Sequence, residues 1–301
     1  MFSQIDPPEL VQRLKTSAAP VLIDVRPEED YLAAHLPEAK NNCVYEVSFS
    51  ERMSDVAPRK EVAVCVYGAG ADSYEARMAA EKLVRAGYGE VLEMRAGIEA
   101  WKSAGLEVKT EGASKAENPE PLDGWHEIDL TESKVEWVGR NLLNKHYGEI
   151  GIKTGKLHFV RGELGSGEFT LDMRVIVCHD LAGDPLHDFL ITHLWSDDFF
   201  DVELYPEARF AITSTESMPQ ATPGAPNLNV HGELTLKDVT RPMKFLAVVG
   251  VTPEGKLAAQ ASLAIDRTLW EVLYGSGKYF RNLGGHLVND LIELQLRIVT
   301  R

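Results

Sequence analysis

Cysteine is scarce: Cys43, Cys65 and Cys178 are the only three, and they lie far apart in the sequence. An odd, scattered set makes no disulfide framework, and without a CxxC pair there is no signature of a structural zinc site. Basic residues are also short, with 31 Lys and Arg against 46 Asp and Glu, a formal net charge of -15. Nucleic-acid binding needs a basic surface to neutralise phosphates, so that partner class is excluded. The same deficit argues against electrostatic docking on anionic membranes. No apolar run reaches the roughly 18 residues of a spanning helix, so no integral membrane segment is expected. The N-terminus, Met1-Phe2-Ser3-Gln4-Ile5-Asp6, has neither a basic start nor an apolar run and does not read as a signal peptide. With the sparse cysteines, this points to a reducing, cytoplasmic location.

What is present suffices for two packed cores. Hydrophobic residues make up 44% of the 301 positions, and at about 100–200 residues per domain the length suggests two domains. The stretch 110–121, Thr110-Glu111-Gly112-Ala113-Ser114-Lys115-Ala116-Glu117-Asn118-Pro119-Glu120-Pro121, has almost no large apolar side chain. It cannot bury enough surface to offset its ordering entropy and reads as a linker between residues 1–109 and 122–301. Before it, Pro20–Val25, Glu61–Tyr67 and Glu90–Met94 are short apolar runs alternating with helical patterns at Pro8–Leu14 and Ser73–Ala86. That rhythm predicts a parallel sheet with helices on both faces. After it, the period becomes two: Lys134–Val138, Phe169–Val175, Val230–Leu236 and Ile292–Ile298 alternate apolar and polar. Antiparallel strands with one dry side are expected, at hairpin spacings that suggest a sandwich or closed barrel. One helix interrupts them. Asp184-Pro185 is a start signal, followed by Leu186, Phe189, Leu190, His193 and Leu194 at helical spacing, as for a lid or a plug.

In the first part, Asp24-Val25-Arg26-Pro27, Glu29-Asp30-Tyr31 and His35-Leu36-Pro37-Glu38-Ala39, with Gly87-Tyr88, Ala96-Gly97-Ile98-Glu99-Ala100-Trp101 and Ala104-Gly105-Leu106, resemble the opening and closing signatures of the rhodanese superfamily. Sulfur transfer of that kind needs a cysteine in the loop between strand and helix, where backbone N–H groups and the helix N-terminus stabilise a thiolate and its persulfide. Here the loop reads Gly68-Ala69-Gly70-Ala71-Asp72-Ser73, and the resemblance puts Ser73 at the catalytic position. A serine cannot form a persulfide, and Asp72 adds negative charge where an anionic substrate would dock. The nearest sulfur, Cys65, falls within the apolar run, where a cysteine is ordinarily an inert small hydrophobe. A lengthened loop starting at Cys65 would make it an alternative nucleophile and the domain an active sulfurtransferase. The main expectation is a catalytically silent module, a pseudoenzyme.

In the second part, Trp125-His126-Glu127-Ile128-Asp129, Ser133-Lys134-Val135-Glu136-Trp137, His193-Leu194-Trp195-Ser196-Asp197-Asp198-Phe199-Phe200-Asp201-Val202, Tyr205-Pro206-Glu207-Ala208-Arg209-Phe210, His231–Pro242 and Ile265-Asp266-Arg267-Thr268 resemble the YceI-like family in order and spacing. The resemblance implies a lipocalin-like antiparallel barrel and a polyisoprenoid or similar long amphiphile inside it. The expected ligand-binding residues are Val135, Trp137, Phe169, Leu171, Met173, Phe199, Phe200, Phe210, Leu234, Leu236, Trp270 and Tyr274, with Val175 as a further inward candidate. The alternatives are a filled barrel serving as an interaction protein, and, for Trp270–Phe280, either a rim with Lys278 or Arg281 meeting a head group or a glycine-bent strand pair. His179, His187 and His193 lie among aspartates, but His187 and His193 are six apart on a helix and so on different faces. No metal site and no cofactor is expected. The expected function is a lipid-binding carrier for a long-chain apolar small molecule, and a homodimer is compatible with the sequence.

Overall fold

The structure is a computed structural model that describes residues 1–112, 122–252 and 254–301. The chain divides into two compact units, Met1–Pro119 and Glu120–Arg301. Most of the expected linker lies outside the described residues. Of its first three residues, Glu111 and Gly112 both donate to the Leu32 carbonyl, at 3.0 and 3.1 Å, and so still belong to the first unit's hydrogen bonding. Among the described residues no helix is long and apolar enough to cross a membrane.

The first unit runs β1 (Ser3–Gln4), α1 (Pro7–Leu14), β2 (Val21–Asp24), α2 (Glu28–Ala33), β3 (Lys40–Asn41), α3 (Phe49–Val56), β4 (Val64–Tyr67), α4 (Glu75–Arg85), β5 (Val91–Met94) and α5 (Gly97–Ser103). Its five strands are all parallel, in the order β1-β5-β4-β2-β3. The central strand shows why its sequence is continuously apolar. Val64 and Val66 pack with Phe49, Met53, Ala79 and Leu83 in one core, whereas Cys65 and Tyr67 pack with Leu10, Ile98 and Trp101 in the other. Both faces are covered, so no position is free to be polar. The opening signature is structural. Buried Arg26 donates to both carboxylate oxygens of Asp24, at 2.9 and 2.5 Å, and to the Ala34 carbonyl at 2.6 Å.

The second unit runs β6 (Gly124–Glu127), β7 (Lys134–Arg140), β8 (Lys145–Val160), β9 (Glu163–Cys178), α6 (Leu186–Trp195), β10 (Glu207–Ser217), β11 (Leu228–Leu236), β12 (Val239–Val251), β13 (Leu257–Asp266) and β14 (Leu291–Val299). Neighbouring strands pair antiparallel in the order β6-β8-β7-β14-β13-β12-β11-β10-β9, and β9 pairs back onto β8. That last pairing closes an eight-stranded barrel, with β6 added outside the ring. Closure leaves the barrel itself without an edge strand.

Two sequence expectations fail locally, each for a visible reason. Val175 does not point inward: it is 49% exposed. The β8–β9 register jumps from Ile150 opposite Ile176 to Gly151 opposite Asp172, so extra β9 residues bulge there and Ile176 and Cys178 take over the buried side. In α6 the start signal works, with the Asp184 carboxylate accepting from Leu186 N–H at 2.8 Å. The apolar stripe, however, is not one face. Leu190, His193 and Leu194 turn to the barrel interior, while Leu186 and Phe189 point to solvent, Phe189 at 74% exposure.

Candidate functional site

The barrel is hollow. Inward residues of β14, Ile292, Leu294, Leu296 and Ile298, are only half-buried although they face the barrel axis, and each lines an internal cavity. An upper cavity of about 280 Å³ and a lower one of about 120 Å³ share Val135, Leu171, Leu234 and Leu294 as common walls. The lower cavity is lined almost wholly by apolar side chains, among them Phe169, Phe210, Ile212, Phe245, Ala259 and Ala261. The upper cavity adds Trp137, Met173, Phe199, Phe200, Leu236 and Tyr274, and polar residues at Arg140, Asn141, Asn144, His146, His193 and Arg267. A dry lower end and an upper end with a polar share suit an occupant with an apolar tail and a polar end.

Eleven of the twelve residues expected to bind ligand line one cavity or both; Trp270 does not. It is buried in the surrounding core and donates its indole N–H to the Leu234 carbonyl at 2.9 Å. Sequence reading missed the walls from β12 and β13, such as Met243, Phe245, Ala247 and Leu263. Period-two alternation in those strands was the available signal. Trp137 carries another feature: its indole Nε1 is buried and has no hydrogen-bond partner among the described residues. Leaving such a donor unpaired costs about 1–3 kcal/mol.

The mouth is built by the segment after β13, and this is where the Asp266-Arg267-Thr268 motif acts. The Asp266 carboxylate accepts from Thr268 N–H and hydroxyl at 3.0 and 2.6 Å. Arg267, 1% exposed, donates to the carbonyls of Asn289, Val272 and Val288 at 3.0, 2.6 and 3.2 Å and so ties both ends of the segment together. Trp270 ends a short 3-10 helix, Arg267–Trp270, and the rest of the segment to Phe280 forms turns, not a strand pair. Lys278 is not a cavity residue: it pairs with Asp266 at 2.5 Å and Asp290 at 3.3 Å, and Arg281 is exposed outside the lining. The cations that do line the cavity are Arg140 and Arg267. The three weighed histidines do not converge. His179 pairs with Glu149, His187 with Asp188 and His193 with Asp198, and His193 also packs edge-on against Phe199 and Tyr274 at the mouth.

In the first unit, the loop after β4 is occupied by the chain's own carboxylates. Ala69 N–H donates to Glu75 Oε1 at 2.6 Å, and a side chain at Gly68 would overlap that carboxylate. Glu75 is 3% exposed, and its second oxygen has no partner among the described residues. A side chain at Gly70 would likewise overlap Glu99. Ser73 and Asp72 sit in the turn, and α4 begins two residues after Ser73, at Glu75. Cys65 is on β4 with 0% exposure, and burial pushes its thiol up to about 12. All three cysteines are free and buried, so the native chain is expected to resist a thiol reagent over minutes and to react fully once denatured. Rapid native labelling of Cys65, mapped by peptide mass, would contradict this burial.

A family model described as a YceI-like domain matches residues 126–300, and one described as a rhodanese-like domain matches residues 6–104. A protein of Allochromatium vinosum named sulfurtransferase is 32% identical over 108 residues, 36% of this chain and 95% of that protein. A UPF0312 protein of Pseudomonas putida is 44% identical over 55 residues, 18% of this chain, and the chain covers only 26% of that protein's length. A solved structure of a polyisoprenoid binding domain from Saccharophagus degradans, described as implicated in plant cell wall breakdown, aligns with a TM-score of 0.43 at 13% identity, over 60% of this chain and 99% of that one.

Proposed function

This chain belongs to the YceI-like domain family through its C-terminal unit and carries a rhodanese-like domain in its N-terminal one, and from that footing we propose that its barrel binds and carries a long-chain apolar small molecule. A polyisoprenoid is the leading class. The observation that carries the reading is the hollow interior. Inward side chains that would be fully buried in a packed core face open space instead, and the lower space is almost purely apolar. Burying a hydrocarbon chain needs no catalytic group, since each buried CH2 contributes roughly 0.8 kcal/mol.

The test is a titration of lipid-stripped full-length chain with prenyl alcohols of increasing length, followed by tryptophan fluorescence. Affinity is expected to climb with each added isoprene unit and to level off once both cavities are filled. Absence of saturable binding at every length would overturn the carrier reading and leave an interaction protein.

For the N-terminal module the proposal is catalytic silence. Sulfur transfer requires a loop thiolate to attack thiosulfate, releasing sulfite and leaving a persulfide, which then passes its sulfur to cyanide as thiocyanate. Ser73 supplies no sulfur, Cys65 is buried on the strand, and the Glu75 carboxylate already takes the Ala69 N–H. Wild-type chain is expected to form no thiocyanate. Ser73→Cys alone is expected to stay at background, because the Glu75 carboxylate already takes the Ala69 N–H that a loop thiolate would need, and Asp72 precedes it in the chain. Turnover by the wild type that disappears in Cys65→Ser would contradict this and restore the sulfurtransferase alternative.

A further inference from the structure

Three donors of different chemistry meet at the end of the β8–β9 ladder. His146 lies near the start of β8, Cys178 is the last residue of β9, and Asp180 follows in the next turn. Asp180 accepts from both of the others: His146 Nδ1 is 2.8 Å from one carboxylate oxygen, and Cys178 Sγ is 3.3 Å from the other. All three donor atoms lie within 4.8 Å of one another. The backbone fixes them. Tyr147 N–H donates to Asp180 at 2.8 Å, His179 N–H donates to the Tyr147 carbonyl at 2.8 Å, and Gly148 pairs opposite Cys178. The donors therefore sit on a paired sheet end, already oriented.

We propose that His146, Cys178 and Asp180 form a binding site for a divalent ion of the zinc type. Imidazole, thiolate and carboxylate are the donors zinc takes, at about 2.0–2.3 Å, which spaces them roughly 3.3–3.8 Å apart. The His146–Asp180 contact of 2.8 Å must open by about half an ångström or more, Cys178 and Asp180 at 3.3 Å already stand at the short end of that range, and a spacing as wide as 4.8 Å closes by about 1 Å. A thiolate and a carboxylate cancel the charge of a divalent ion while imidazole stays neutral, so the loaded site is itself neutral in a partly buried place. In the unloaded site the imidazole N–H and thiol S–H fill the Asp180 carboxylate. Metal replaces both bonds: the thiol proton leaves to solvent, and the imidazole proton moves by exchange with solvent from Nδ1 to Nε2, which frees the Nδ1 lone pair while the ring stays neutral. Cys178 is buried, but His146 and Asp180 keep 38% and 20% of their side chains exposed, which gives an ion a way in. Neighbouring Glu149 is already held by Lys134 and His179. Three protein donors thus leave a position for water or a small anionic ligand, and His146 also lines the upper cavity. The site stands whether or not the barrel carries a lipid.

The test uses untagged, metal-stripped full-length chain titrated with Co2+. The expected result is one ion per chain, a thiolate-to-cobalt charge-transfer band in the near ultraviolet, tetrahedral bands in the visible, and displacement by Zn2+. Cys178→Ser is expected to lose the charge-transfer band. His146→Asn, at a half-exposed position, is expected to weaken Co2+ at least ~10-fold, as even outer-shell changes do. No charge-transfer band in the wild type, or a band and stoichiometry unchanged in both variants, would overturn the site and leave the three side chains as a hydrogen-bonded turn.

Discussion

Ala261→Phe is expected to remove long-chain binding while leaving the barrel folded. Ala261 faces the lower cavity of about 120 Å³, where nearly every other wall is also apolar. A benzyl group in place of the methyl takes up space that an occupant's tail would otherwise fill. If one five-carbon unit can no longer be buried, the loss is about 4 kcal/mol at ~0.8 kcal/mol per carbon, near a thousand-fold in affinity. Even half of that loss is about thirty-fold. The empty barrel should not suffer, because filling a void removes no existing contact and adds apolar packing. Fluorescence titration and a thermal melt read the two effects separately. Wild-type affinity for the longest ligand in a folded variant would place the tail elsewhere.

Arg267→Met is expected to give the largest loss of stability in the C-terminal unit. Its guanidinium satisfies three backbone carbonyls and lies 3.9 Å from Asp290, with almost no solvent contact. Methionine keeps much of the volume but donates nothing, so those carbonyls are stranded. Removing one partner from a buried ionic network costs roughly 3–5 kcal/mol, a fall in Tm on the order of 10 °C for a domain of this size. The segment between Glu271 and Asn289 should exchange amide hydrogens faster, because its tie is gone. Lys278→Ala is the control. Lys278 binds Asp266 and Asp290 from an exposed position, where solvent screens the pair and its loss is expected to change stability little. Equal losses in the two variants would show that the mouth is not held by Arg267.

The architecture was legible because period carries it. The run Val64–Tyr67 has no polar position since helices cover both faces, and Leu291–Val299 alternates since one side is dry. Alternation also points to the cavity wall, but it does not count residues in a bulge, so it puts Val175 on the wrong side. Helical spacing gave α6 but not its orientation, since Leu186 and Phe189 obey the same spacing as Leu190 and Leu194. The occupation of the loop by Glu75 was not legible: it depends on a side chain folding back six residues to an amide. Nor was the convergence of His146 with Cys178 and Asp180, which are over thirty positions away and are joined only by strand pairing.

The measurement that tests the central claim most directly is organic extraction of freshly purified full-length chain, followed by mass spectrometry. The carrier account predicts recovery of an isoprenoid or other long-chain amphiphile in near-stoichiometric amount from the wild type, and little or none from Ala261→Phe. An empty extract, together with failure to take up added long-chain isoprenoids, would contradict it.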